Sequence, residues 1–393
     1  MSRGNLSALF PFLLLLFTGT FSSSMVISFM AFFIVEGLGR DPWIISVYSV
    51  IGVTMTVITN RSFARLIDSG RRVFPLVGFA CFTFLAAALS LAIAPTLTTV
   101  MTVGVIGFGL SSSAVSTMFS LGGNMAERQH VDRARFNAYM RATTSTAWMI
   151  GPAIAFMVAD QFGPTAVFRV CFAAGLAWLL LWLLALPRDI TARPKSTNPQ
   201  TESTNTAKTA MFAAAGFVFC LSLAHSLTFT ALPLFYVQEV GLPGYAPGFA
   251  FSVKTFVEVF AIFSTPFLIS HFGLRTSLLG TSLLAVIAIQ VLASVTTFPQ
   301  MVFGAALEGL YYGFYASLGI SYVQSFATDR PAQATAIYWN TLMVSGLLAG
   351  PAVGLIAQVY DFYAVLLVAS GVAFLSACVL FFGSREPESR APT

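Results

Sequence analysis

Five ionisable residues lie inside long apolar stretches of this 393-residue chain: Arg141, His225, Lys254, Glu258 and Glu308. A charge at the centre of a bilayer costs about 2.5–3.5 kcal/mol on insertion scales, so such residues face a cavity or a partner. Glu308 is followed at i+3, i+4 and i+7 by Tyr311, Tyr312 and Tyr315, which puts all four on one stripe of a helix. A carboxylate among tyrosines suits a sugar, because it accepts hydroxyl hydrogens while the rings cover the apolar sugar face. The same pattern also describes a buried Glu that ties its helix to a neighbour, with tyrosines as packing. Lys254 and Glu258 stand i, i+4 apart, so their side chains can meet and neutralise each other. They form either a structural pair or one that opens when a proton or substrate arrives. Glu258 is the first candidate for proton coupling, with Lys254 as its partner and Glu308 as the second. His225, with Ser222, Ser226 and Thr228 nearby, is either a proton relay or a satisfied structural donor, and it is a supporting candidate for substrate contact beside Glu308. Arg141 shares a helix face with Thr144, Ser145 and Trp148. It can snorkel to lipid headgroups or, with Trp148, contact substrate.

These residues sit on elements that repeat. The stretch Arg141–Val158, RATTSTAWMIGPAIAFMV, returns 199 positions later as Asn340–Ala357, NTLMVSGLLAGPAVGLIA. Each copy places one polar residue, Arg141 or Asn340, ten positions before a Gly-Pro pair, Gly151-Pro152 or Gly350-Pro351. Ten residues span about 15 Å of helix, half of a hydrocarbon core of about 30 Å. Proline removes a helix hydrogen bond and glycine permits close approach, so each pair is a candidate hinge. Asn340 cannot snorkel as a charge, and as the repeat partner of Arg141 it is a second candidate for substrate contact. A repeat at half the chain length predicts two similar membrane bundles, an architecture of transporters.

Composition agrees. Hydrophobic residues make up 57% of the chain and charged residues 9%, against about 25% charged in a soluble domain. The pattern predicts twelve spans, at 7–34, 43–63, 73–93, 99–121, 135–159, 164–186, 209–236, 245–270, 275–295, 299–325, 333–358 and 361–383. Two six-helix bundles follow, at 1–186 and 209–393, joined by a polar linker at 187–208. An apolar run continuing to Val35 reads as a retained first helix, not a cleaved signal. Sixteen of the twenty Lys and Arg residues fall in alternate loops and the termini, which places both termini and the linker in the cytoplasm. The net charge of +5 is thus a topology signal, with a lipid bilayer and not nucleic acid as the partner. The four cysteines, Cys81, Cys171, Cys220 and Cys378, have no metal-ligand spacing and read as packing residues.

The loop ARLIDSGRR, residues 64–72, sets Asp68 before Arg71 and Arg72 between spans two and three. It resembles the signature loop of the major facilitator superfamily, one residue short of the usual form and with Asn60 or Ala64 where a Gly is common. The alternative is a plain basic cytoplasmic turn. With twelve spans, a central linker and the doubled Gly-Pro helix, the whole chain looks like a major facilitator: an all-α membrane protein of two pseudo-symmetric six-helix bundles. The run from Ala138 through TAWMIGPAIAF, Gly248-Phe249 leading to Glu258, Gln324, and Asn340 before Gly350 are similar to the bacterial sugar efflux transporters. That resemblance implies export of lactose-like sugars and glycosides driven by protons, in the inner membrane. It also implies gating by Asp68, Arg71, Arg72 and the two Gly-Pro pairs. Members of that family carry an amide in the first span and an acidic residue in span seven. Here Ser22, Ser23, Ser24 and Ser28, and Ala231, stand instead, and Glu308 has no counterpart.

The expectation is therefore a secondary transporter that exports a sugar or glycoside in exchange for protons, with no cofactor beyond the coupling proton. A monomer is expected. An exporter of hydrophobic drugs, or a membrane sensor, are the alternatives. No GxxxxGK[ST] loop argues for an ATP-driven pump, and no HExxH or Ser-His-Asp arrangement stands on loops to serve an enzyme.

Overall fold

The apolar runs form helices because a backbone in hydrocarbon must satisfy its own hydrogen bonds. The structure, a computed structural model, describes residues 9–191, 205–326 and 331–383. The first span is α1 (Phe10–Phe32), closed by a π-turn at Phe33–Gly37. The second and third are α2 (Trp43–Asp68) and α3 (Phe74–Ile93). The fourth is broken into α4 (Leu97–Thr99), a π-turn (Val100–Gly104), α5 (Val105–Ser111) and α6 (Ser113–Arg128). The fifth and sixth are α7 (Arg133–Phe162) and α8 (Ala166–Ala185). The seventh is α9 (Asn205–Leu234), closed by a π-turn at Phe235–Glu239. Then come α10 (Ala246–Phe272), α11 (Leu274–Ala293), α12 (Phe298–Ser325), α13 (Pro331–Val359) and α14 (Phe362–Phe382). Eleven of these helical rods are long and apolar enough to cross a bilayer. The tenth span, α12, has the length, at 28 residues, but Gln300, Glu308, Gln324 and its tyrosines dilute its apolar character.

Several helices outrun their expected spans. The hydropathy pattern marks only the part in hydrocarbon, whereas α6 and α7 continue as polar helix to Arg128 and from Arg133. The break at Ser112 also has a local cause. Ser111, Ser112 and Ser116 each donate to a carbonyl three residues back, at 2.9, 2.7 and 2.9 Å, bonds that compete with the helix ladder.

The chain divides into two compact units, Met1–Thr197 with Pro243–Gly248, and Asn198–Leu242 with Phe249–Thr393. The linker expected at 187–208 falls mostly outside the described residues. Each unit repeats one pairing scheme: α1 packs on α7 and α8 as α9 packs on α13 and α14, and α3 meets α8 as α11 meets α14. Small residues let the helices approach, as membrane packing requires. A side chain at Gly78 would collide with the Trp182 ring, and a Cβ at Gly19 would lie 2.8 Å from Trp178 Cε2. Gly151 has the same role: its α-carbon faces Ser24 so closely that any Cβ would strike Ser24 Oγ. Ser24 Oγ also donates to Ala147 O at 3.2 Å. The first Gly-Pro pair is thus a point of contact between α1 and α7, and α7 runs on through Pro152.

Spans one and seven end alike. Phe33-Ile34-Val35 and Phe235-Tyr236-Val237 open the two π-turns, and Gly39 and Gly241 follow at φ +59° and +74°. Leu38 and Val240 donate to Phe33 O and Phe235 O at 2.9 and 3.0 Å, and Arg40 and Leu242 to Ile34 O and Tyr236 O at 3.2 and 2.9 Å. In the second copy the Glu239 carboxylate accepts from the Phe362 and Tyr363 amides at 2.6 and 3.0 Å, satisfying two of the open donors of α14. Glu239→Ala should therefore destabilise the folded protein by about 1 kcal/mol, the worth of a side-chain cap. Thermal unfolding in detergent reads this directly, and an unchanged midpoint would make the cap incidental.

Candidate functional site

His225, Lys254, Glu258 and Glu308 gather where α9, α10 and α12 approach. Close approach comes from glycine: Gly309 lies against the Lys254 carbonyl with no room for a Cβ, and a Cβ at Gly313 would lie 2.6 Å from both Ala261 Cβ and Glu258 O. One turn further on, Thr265 Oγ1 and Ser317 Oγ are hydrogen-bonded at 2.9 Å. This seam brings Glu308, the residue before Gly309, beside Lys254 and Glu258.

The contacts form a chain. Lys254 Nζ stands 3.5 Å from Glu258 Oε2, so the i, i+4 pair does meet. The same ammonium lies 4.2 Å from the centroid of the Tyr312 ring, a cation–π contact. His225 stacks on Tyr312 at 3.8 Å between centroids. Its Nδ1 is 3.2 Å from Tyr311 Oη and 3.6 Å from Glu308 Oε1, the second distance being longer than a hydrogen bond. With Nδ1 engaged by Tyr311, Glu308 Oε1 is left buried with no hydrogen-bond partner, on a side chain only 3% exposed.

The tyrosine stripe divides by task. Tyr315 is buried and donates to Val218 O at 3.0 Å, and Tyr311 is buried against His225. Tyr312 keeps part of its ring exposed. Ser345 of α13 donates to Ser222 of α9 at 2.7 Å, so the hydroxyls flanking His225 fix helices. Asn340 is exposed on α13 and stands outside this set of contacts.

In the first unit, Arg141 is exposed and Trp148 half-buried on α7. Arg71 and Arg72 are exposed, and Arg72 pairs with Thr191 in an isolated bridge while Val73 N donates to Ile190 O at 2.9 Å. The loop is thereby pinned to the segment after the sixth span. The side chain of Asp68, the last residue of α2, lies outside the described residues. Gly350 is buried and Pro351 half-buried within α13. Among the described residues no cluster of His, Cys, Asp and Glu is arranged to hold a metal.

Sequence reasoning missed Tyr236, which lies on the π-turn after α9 with its hydroxyl buried and unbonded. The signal was present: the Phe-x-Val of residues 33–35 recurs at 235–237, with a glycine four residues after each Val.

The family model described as Major Facilitator Superfamily matches residues 214–393. The solved structure of the nucleoside transporter NupG superposes with a TM-score of 0.79, covering 95% of this chain and 98% of that one at 15% identity. The second half of the chain matches the Major Facilitator Superfamily, and the fold of the whole is that of the solved transporters. The chain resembles the sugar efflux transporters. Sugar efflux transporter A of Escherichia coli (strain K12) is 24% identical over 393 residues, covering 93% of this chain and 96% of that protein. Sugar efflux transporter B of Salmonella typhimurium is 24% identical over 366 residues, 90% of each. The buried cluster, on the seventh, eighth and tenth spans, lies within the part that the family model matches.

Proposed function

We propose that this protein exports a sugar or glycoside in exchange for protons, by alternating access across a bacterial inner membrane. Both termini lie on the cytoplasmic side in this reading. The observation that carries it is the charge count of the buried cluster. Two carboxylates, Glu258 and Glu308, share one lysine, Lys254, with the His225 imidazole beside them. One proton makes the set neutral, and a neutral set crosses a low-dielectric interior more cheaply than a charged one. Glu308 is the better proton carrier, since Glu258 already holds Lys254 whereas Glu308 Oε1 is unbonded. His225 stands beside the carboxyl, and Tyr312 holds the imidazole and the lysine in place. Asp68, Arg71, Arg72 and the Gly151-Pro152 and Gly350-Pro351 pairs serve the gating movement. The names of the relatives support a sugar as the solute.

The test is flux of labelled lactose in vesicles holding the purified protein, with and without an imposed proton gradient. Gradient-driven accumulation is the expected result. Flux that ignores the gradient would remove the proton from the mechanism, and no lactose flux in well-folded protein would remove the sugar.

A further inference from the structure

Arg169 stands apart from most basic residues of the first unit. It is the fourth residue of α8 (Ala166–Ala185), one turn in from the end where α7 closes. The other end of α8 leads to Thr191, which pairs with Arg72. Arg65, Arg71 and Arg72 gather there, about 30 Å away along the helix. Arg169 also lies inside an apolar span, where a charge is costly without a partner.

The protein supplies no partner. Arg169 is exposed, and among the described residues no hydrogen bond or ion pair engages its side chain. Phe168 packs on Phe33 at 4.6 Å and on Phe29 at 6.4 Å between ring centroids. That contact fills the inner face of α8 and turns the next residue outward, about 100° round the helix. The acid at this end of α7 faces elsewhere: a Cβ at Gly244 would lie 2.6 Å from Asp160 Oδ1. Val158 and Phe162, two residues to either side of Asp160, point the opposite way by helical geometry.

Those two residues line a cleft with Ala166, Arg169 and Val170. Its volume is about 290 Å³, near the lower limit of about 300 Å³ for ligand pockets. Four of its five lining residues are apolar, and Arg169 is its one charge. Phe162 at its edge is 70% exposed, so the cleft opens on the outside of the helix pair. The medium there is the bilayer. An apolar cleft with one cation at its rim complements an amphiphile with an apolar chain and an anionic head.

We propose that the cleft between α7 and α8 binds one anionic phospholipid. An acyl chain lies along Val158, Phe162, Ala166 and Val170, and the Arg169 guanidinium holds the phosphate through its paired donors. A zwitterionic head presents the same phosphate with an ammonium beside it, so Arg169 selects for net charge. The site is independent of the solute and of proton coupling.

The experiment is native mass spectrometry of the full-length protein in detergent, with phosphatidylglycerol and phosphatidylcholine of matched chains at equal concentration. The wild type should retain phosphatidylglycerol with roughly fivefold preference, the attraction of one Arg for an anionic head. Arg169→Gln should retain the two lipids equally, and Arg169→Lys should keep most of the preference. Arg40→Gln is the comparison. It removes a charge at the same end, since the turn at Gly37 meets Pro164 just before α8, yet Arg40 does not line the cleft. Its preference should be that of the wild type. Val170→Trp fills the cleft, keeps the charge and should lose the bound lipid. Phosphatidylglycerol should also raise the unfolding temperature of the wild type more than that of Arg169→Gln, as a ligand of the folded state does. Without lipid the two should unfold alike, because Arg169 is exposed and unpaired. Unchanged preference in Arg169→Gln, or no preference in the wild type, would overturn the site. An equal loss in Arg40→Gln would reduce it to general surface charge. Displacement of the lipid by millimolar glycerol 3-phosphate would overturn the role of the chain and leave a phosphate site only.

Discussion

Glu308→Gln is expected to abolish gradient-driven accumulation of labelled lactose while leaving sugar-for-sugar exchange within about tenfold of wild type, the loss of one good hydrogen bond. In the wild type, return of the empty carrier without the proton would carry an unneutralised carboxylate through the membrane interior, at about 2.5–3.5 kcal/mol, whereas in the loaded carrier the solute takes the proton's place beside Glu308. That figure corresponds to roughly 100-fold discrimination between the protonated and bare forms. It is the strictness with which the proton is tied to movement. Glutamine at 308 leaves Lys254 and Glu258 as a balanced pair, 3.5 Å apart. The gradient then has no group to act on, and the variant equilibrates the sugar instead of concentrating it. Its exchange rate should also be flat with pH where wild-type accumulation is steep. Accumulation that survives in Glu308→Gln would move the proton to Glu258. Loss of exchange along with accumulation would make Glu308 a sugar ligand only.

Gly309→Val should cost about 3 kcal/mol or more of stability, the range for forcing extra carbon into a closed contact. Gly309 and Gly313 form a small-xxx-small seam on α12, and the atom facing Gly309 is the Lys254 carbonyl oxygen. A flexible side chain could rotate aside, but a backbone carbonyl held in a helix cannot. The helices must part, and Glu308 then leaves Lys254. Lactose binding should fall with the unfolding temperature. Gly216→Ala is the comparison, because nothing lies within 4 Å of its missing Cβ. There the substitution should be neutral or gain about 0.5 kcal/mol from a stiffer unfolded chain. Equal stability of Gly309→Val and wild type would mean that α10 and α12 are not in contact at this turn.

The candidate site was legible in the sequence to an instructive degree. Glu308 with its tyrosines, Lys254 with Glu258, and His225 stood out because each is costly in an apolar run, and cost is a property of residue type. Their assembly into one cluster was not legible, because the contacts join spans separated by tens of residues. Helical periodicity placed Tyr311, Tyr312 and Tyr315 on one stripe, yet their tasks differ. Tyr315 and Tyr311 are spent on Val218 and His225, and Tyr312 carries the stacked imidazole and the lysine. Gly151 shows the same limit. Beside Pro152 it reads as a hinge, and only the structure shows that it also packs on Ser24.

What the sequence determined alone was the class of solvent and the doubling. A composition of 57% hydrophobic residues requires every backbone group to be satisfied within helices, and the repeat at half length requires two alike bundles. These are consequences of local composition and order, which sequence records directly. Only the tertiary structure decided which polar atoms have partners. Among the described residues it left Glu308 Oε1 buried without a hydrogen-bond partner beside the engaged His225 and Tyr311. Hydrogen bonding is fixed by distances of a few tenths of an ångström between helices, and those distances come from glycines packing on backbone, which a one-dimensional pattern does not carry.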